Sequence, residues 1–179
     1  MRKLNIVLVI CIIVSLLLHA ITGSMQLVGA SVVPQKTIAR VTVVFVCAHM
    51  IVSLILTVQS LIAMKRSGAG YFKDNLLFWA RRISGLTIPI PLIMHLAIFM
   101  ARDVEAYRLK AFTTGRLISQ LLLVAAIALH VLCNVKPALI SLGIKDRKSY
   151  GADIIFILSV LLLFFAVAFA IYYIRWAAV

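Results

Sequence analysis

The sequence predicts an all-α integral membrane protein of five transmembrane helices, and three observations lead there. Of 179 residues, 64% are hydrophobic and 13% are charged, with a mean hydropathy of +1.15. A soluble domain runs at roughly 45–50% apolar and about a quarter charged, so this chain has too little polar surface to keep itself wet. The apolar residues collect into five stretches, each near the ~20 residues that an α-helix needs to cross about 30 Å of hydrocarbon. Basic residues gather at the ends of those stretches and stay out of their middles.

The first span covers residues 4–23. It opens Met-Arg-Lys and then turns apolar, as a signal peptide does, but the run is longer than an h-region of about 7–15 residues and no small-x-small site closes it. The second span covers 38–64 and ends on Lys65 and Arg66. The third, 83–101, follows Arg81 and Arg82 and carries Pro89 and Pro91. The fourth covers 117–135. The fifth, 154–174, is headed by Asp153 and holds no interior charge, which marks it as a packing helix. No soluble domain fits between the spans, so residues 1–179 read as one transmembrane domain.

Eighteen Lys and Arg against five Asp and Glu give a net charge of +13. In a membrane chain that excess is loop charge, which sets orientation and meets anionic lipid or a docked partner, so nucleic acid is not the expected ligand. With the N-terminus in the cytoplasm, Arg2, Lys3, Lys65, Arg66, Lys73, Arg81, Arg82, Lys136, Lys145, Arg147 and Lys148 fall inside. Lys36, Arg40, Arg102, Arg108, Lys110, Arg116 and Arg175 fall outside. The inner side is the richer one, as the positive-inside rule requires. Cys11, Cys47 and Cys133 lie in apolar runs without CxxC spacing and read as small buried hydrophobes.

The chemistry lies in the histidines. There are four, His19, His49, His95 and His130, one in each of the first four spans and none in a loop. An ionisable group at membrane depth is costly and faces the bundle interior. One such histidine is a helix-to-helix hydrogen bond; four, one per helix, suggest imidazole pairs holding haem iron inside a four-helix bundle. At about 1.5 Å per residue, His19 lies about 22 Å from the inner face and His95 roughly 15–18 Å. His49 lies about 14 Å and His130 about 10 Å from that face. Depth therefore pairs His19 with His95 and His49 with His130. At 100° per residue, Ser15, Gly23 and Gln26 share the face of His19, and Thr42, Ser53 and Ser60 that of His49. Ser84 and Arg81 fall near the line of His95, and Asn134 and Ser141 lie with His130. Without a CxxCH motif, any haem would be of the b type, held without thioether bonds.

This pattern resembles the dihaem cytochrome b subunit of menaquinone-linked succinate dehydrogenases and fumarate reductases. The likeness is densest over residues 73–103, KDNLLFWARRISGLTIPIPLIMHLAIFMARD. There Asn75 precedes an apolar-aromatic run, Arg82-Ile83-Ser84-Gly85 forms an Arg-x-Ser-Gly element, and His95 follows ten residues after the glycine. Residues 49–71, with His49, Lys65 and a Gly-Tyr turn, and residues 119–148, with His130 and the SLGI segment, extend it. The chain departs from the family in its short N-terminal segment, in the close spacing of its first two histidines and in spans free of acidic residues.

The resemblance implies two haems b. His19 and His95 would hold the distal iron, and His49 and His130 the iron proximal to flavoprotein and iron–sulfur subunits on the cytoplasmic side. Arg81, Arg82 and Ser84 would meet a haem propionate, the iron–sulfur subunit or a quinone carbonyl. The expected role is a multi-pass anchor in the cell membrane, in a complex that could itself dimerise. It would pass electrons between the iron–sulfur subunit and menaquinone, with no catalysis by this chain alone. Two other readings stand beside it: the cytochrome b subunit of a formate dehydrogenase or hydrogenase, and a non-redox transporter or assembly factor that uses histidines for metal or protons.

Overall fold

The computed structural model describes residues 1–30, 36–67, 76–100, 112–144 and 147–177. Among them there is no strand, and the helices are α1 (Arg2–Leu27), α2 (Lys36–Ser67), α3 (Leu76–Thr87), α4 (Pro89–Phe99), α5 (Thr114–Ser141) and α6 (Arg147–Ala177). With α3 and α4 forming one span, five segments are long and apolar enough to cross a membrane: Lys3–Leu27, Lys36–Ser67, Leu76–Phe99, Thr114–Ser141 and Tyr150–Arg175. The protein is an all-α, multi-pass membrane protein. Large side chains such as Phe156, Leu163 and Ile174 stay exposed along α6, where lipid rather than water can solvate them.

The helices outrun the apolar stretches that announce them, because intrahelical bonding continues past the last apolar residue. The third span differs most. It begins at Leu76, not Ile83, so Arg81 and Arg82 stand inside a helix rather than before one. Both tolerate this by laying their stems along it: Arg81 donates Nε–H to Leu77 O at 3.1 Å, and the Arg82 guanidinium sits 5.1 Å from the centre of the Phe78 ring. The span breaks at Ile88 because Pro89 and Pro91 bring no N–H to the ladder. Ile88 keeps right-handed helical angles (φ −70°, ψ −41°), and Leu92 N–H already reaches Ile88 O at 3.0 Å. Helix α4 ends at Phe99; Ala101, the expected end, lies outside the described residues, as do Lys73, Asn75, Asp103 and the charges Arg102, Arg108, Lys110 and Lys145.

Two helix ends close on a left-handed glycine. At the end of α1, Gly29 has φ +80°, Gly29 N–H bonds Gln26 O, and Ala30 N–H reaches back to Met25 O at 2.8 Å. At the end of α5, Gly143 has φ +75° and Ile144 N–H bonds Leu139 O at 3.1 Å. Both are Schellman closures, and they satisfy carbonyls that a helix end otherwise leaves bare. Helix α5 starts on Thr113, whose hydroxyl accepts from Arg116 N–H.

The chain divides into two compact units. The first contains Met1–Gly23 and Gln35–Arg82, thus most of α1, all of α2 and the opening of α3. In it Ser53 of α2 donates to Asn5 Oδ1 of α1 at 3.5 Å, and Thr42, Val52 and Phe78 are buried. The second contains Ser24–Pro34 and Ile83–Val179. Its core is Leu27, Ile98, Phe112, Phe169 and Tyr172, with Phe99, Leu117, Val124 and Tyr173 packed around it. At the edge of this core Thr114 and Tyr173 join hydroxyls at 2.9 Å, and Arg175 donates to Leu27 O, reaching over Gly29.

That closure yields a stability prediction. A methyl group at Gly29 would hold an L-residue in the left-handed region, at a cost of about 1–2 kcal/mol. It would also lie 2.6 Å from Arg175 Nη1, which is the free end of a flexible side chain and can swing away. Gly29→Ala should therefore lower the thermal midpoint in detergent by about as much in an Arg175→Ala background as alone. A penalty that vanishes in that background would mean the clash, not the backbone, sets the cost.

Candidate functional site

The four histidines stand where the sequence places them, inside membrane-spanning helices: His19 on α1, His49 on α2, His95 on α4 and His130 on α5. The first two belong to the first unit and the last two to the second. All four are half-buried.

In the second unit the two histidines are seated reciprocally along one seam. Ser84 and His95 are eleven residues apart, close to three full turns, so they share a face across the α3–α4 break. That face meets α5. Ser84 Oγ lies 3.2 Å from His130 Nδ1, and His95 Nδ1 lies 2.7 Å from Gln120 Oε1. From Ser84 to His95 the helical rise is about 16 Å and from Gln120 to His130 about 15 Å, so antiparallel helices bring both pairs into register. Each helix gives one imidazole and one polar seat for the other's imidazole.

The two seats differ in what they fix. The His130 ring lies against Gly85: a Cβ built there would be 3.2 Å from its Cε1 and 3.4 Å from its Nδ1, so the bare glycine makes room for the ring. Asn134, one turn on, donates to His130 O at 2.7 Å and lies 3.4 Å from Nδ1. A serine hydroxyl both donates and accepts and the Asn134 amide nitrogen can only donate, so this seat fixes the ring's position and holds no group that can only accept. The Ser-Gly end of the Arg-x-Ser-Gly element is therefore the cradle of His130 on α5, in addition to leading into the helix of His95.

The seat of His95 is directional. Ser119 donates its hydroxyl proton to Arg116 O at 2.7 Å, and its oxygen accepts from Gln120 Nε2 at 2.9 Å. The amide is thereby oriented, with Oε1 toward the ring, and a carbonyl oxygen can only accept. His95 Nδ1 carries the proton, and the neutral ring keeps its lone pair on Nε2. Ser119 is 2% exposed and Gln120 0% exposed, so water cannot replace either partner. Phe99 at 4.9 Å and Phe169 at 6.4 Å between ring centres flank the imidazole and hold its plane.

In the first unit His49 Nε2 lies 3.4 Å from Ser53 Oγ, whose proton points to Asn5 Oδ1. His49 Nδ1 is buried and has no hydrogen-bond partner among the described residues. On α1, Ser15 is buried and Thr22 donates to Leu18 O at 2.6 Å. Of the face-sharing residues, Ser53 and Asn134 meet the histidine one turn before them, and Ser84 meets His130 rather than His95. Thr42, Ser60 and Ser141 bond carbonyls of their own helices. Arg81 donates to Leu77 O, and the Arg82 guanidinium covers Phe78. Gln120 is the partner that sequence reasoning missed; its signal is an amide inside an apolar stretch, which must be answered by another side chain.

In donor chemistry these residues could serve a haem iron: His95 holds its Nδ1 proton on an acceptor and keeps a lone pair on Nε2, and His49 has a buried ring nitrogen with no hydrogen-bond partner among the described residues. Among the described residues no three His, Cys, Asp or Glu side chains converge as a closed protein metal site requires. No protein-family model, curated protein or solved structure matches the chain.

The glycine cradle can be tested by volume. Gly85→Val should drive side-chain atoms into the His130 ring and lower stability by about 1–3 kcal/mol, the usual cost of overpacking. Gly85→Ala should cost less, since the ring needs to give only a few tenths of an ångström. Gly115→Ala, where nothing lies within 4 Å, should be neutral or stabilising. Thermal midpoints of the three variants in one detergent check the order, and equal midpoints for Gly85→Val and Gly115→Ala would remove the cradle.

Proposed function

We propose that the chain is the dihaem cytochrome b anchor of a succinate dehydrogenase/fumarate reductase complex, passing electrons between a cytoplasmic iron–sulfur subunit and menaquinone. The single observation that carries the reading is one histidine in each of four membrane helices, with His95 held by Gln120 in the tautomer that leaves a lone pair on Nε2. The resemblance of residues 73–103 to that family supports it from a separate direction. Bound haem supplies the one-electron chemistry, shuttling between ferric and ferrous iron.

The chain's own residues hold and orient. His19 with His95, and His49 with His130, are the proposed axial pairs, distal and proximal. Ser84 and Gly85 seat His130, Gln120 seats His95, and Phe99 and Phe169 keep the His95 ring from turning. Arg81 and Arg82 place two guanidinium groups near the opening of the third span, where a propionate, a quinone carbonyl or the iron–sulfur subunit would find positive charge. The basic excess of one set of loops puts the N-terminus in the cytoplasm of a cell-membrane protein and gives its partners a docking side.

Purification through an affinity tag on this chain tests the reading. Flavin and iron–sulfur subunits should co-purify, and a pyridine haemochrome assay should find two non-covalent haems b per chain. A single chain that is catalytically complete, or fewer than one haem per chain in the intact complex, would overturn it.

A further inference from the structure

We infer that Gln120 is a positioning residue that sets the redox potential of the haem held by His95, an inference that rests on the proposed function. Three features single it out. It is wholly buried. Its amide is oriented by a one-way chain of hydrogen bonds, from Gln120 Nε2 to Ser119 Oγ and from Ser119 Oγ to Arg116 O. Its carbonyl takes the His95 Nδ1 proton at 2.7 Å, the shortest contact that any of the four rings makes among the bonds described above.

The chemical consequence follows from the imidazole itself. A proton drawn from Nδ1 toward an acceptor leaves more electron density on Nε2, and a more basic ligand favours ferric over ferrous iron. Gln120 therefore lowers the potential of the distal haem. His130 has no pure acceptor imposed on it, because Ser84 Oγ can turn its proton either toward or away from the ring and Asn134 Nδ2, at 3.4 Å, can only donate. Two histidines on one seam thus receive different electronic settings: an amide oxygen that only accepts at His95, and at His130 a hydroxyl that does either beside an amide nitrogen that only donates. In hydrocarbon no water competes for the Nδ1 proton, so the setting survives as long as the acceptor atom does.

The test is a potentiometric titration of the haem bands in the purified complex, with the ferric EPR spectrum as a second readout. Gln120→Met keeps length and removes the acceptor; Gln120→Glu keeps an acceptor oxygen. The step assigned to His95, identified by its loss in His95→Leu, should move to higher potential in Gln120→Met and stand at or below the wild-type value in Gln120→Glu. The other step should not move, and only the EPR signal of the shifted haem should change. An unmoved His95 step in Gln120→Met would overturn the inference. So would an upward shift in Gln120→Glu matching that of Gln120→Met, because packing rather than the acceptor would then be responsible. Should Gln120→Met lose that haem, the direction in Gln120→Glu decides alone. A wild-type complex without haem would overturn the proposed function itself, a result distinct from two intact steps that ignore residue 120.

Discussion

An imidazole inside hydrocarbon must place its N–H on a protein acceptor, since no water is there to take it, and an unanswered polar group in that setting costs several kcal/mol. The seam between α3–α4 and α5 is organised by that requirement. His95 finds its acceptor on α5 and His130 finds its partner on α3. Each bond fixes the rotation of one helix about its axis relative to the other, so the two bonds together fix register and facing. The apolar contacts of the second unit, which have no direction of their own, are thereby held to one arrangement.

The details around the seam follow. Pro89 and Pro91 interrupt the third span between its two seam residues, yet Ile88 keeps helical angles, so Ser84 and His95 remain on one face. Gly85 gives up a side chain where the His130 ring needs the volume. At the other end, Phe112 and Phe169 lie stacked 8° from parallel, and Phe99 and Tyr172 close against Phe112 at 6.3 and 5.0 Å. Phe99 and Phe169 of this layer also flank the His95 ring. Packing here serves the polar contacts as much as the reverse.

The five spans were legible in the sequence because hydrocarbon thickness sets a length that composition alone can meet. Their ends were less so: Arg81 and Arg82 read as the flank of a helix, whereas their stems lie on Leu77 and Phe78 and let the helix begin at Leu76. The shared face of Ser84 and His95 was legible from 100° arithmetic, but not the side chain that each would meet, because facing is a property of one helix and contact a property of two. Gln120 stayed hidden for the same reason. The amide within α5 signals that it needs a partner, but which residue on α4 answers it is shown only by the contact of the two helices.

The central claim is that the four histidines serve as ligands, one per helix, in two pairs set by depth. A redox titration of the haem bands in the intact complex, run on the wild type and on His→Leu variants at positions 19, 49, 95 and 130, tests it most directly. The account predicts two one-electron steps in the wild type, one lost in common by the variants at 19 and 95 and the other lost in common by those at 49 and 130. Shared loss by the variants at 49 and 95, or bands that survive all four substitutions, would contradict it.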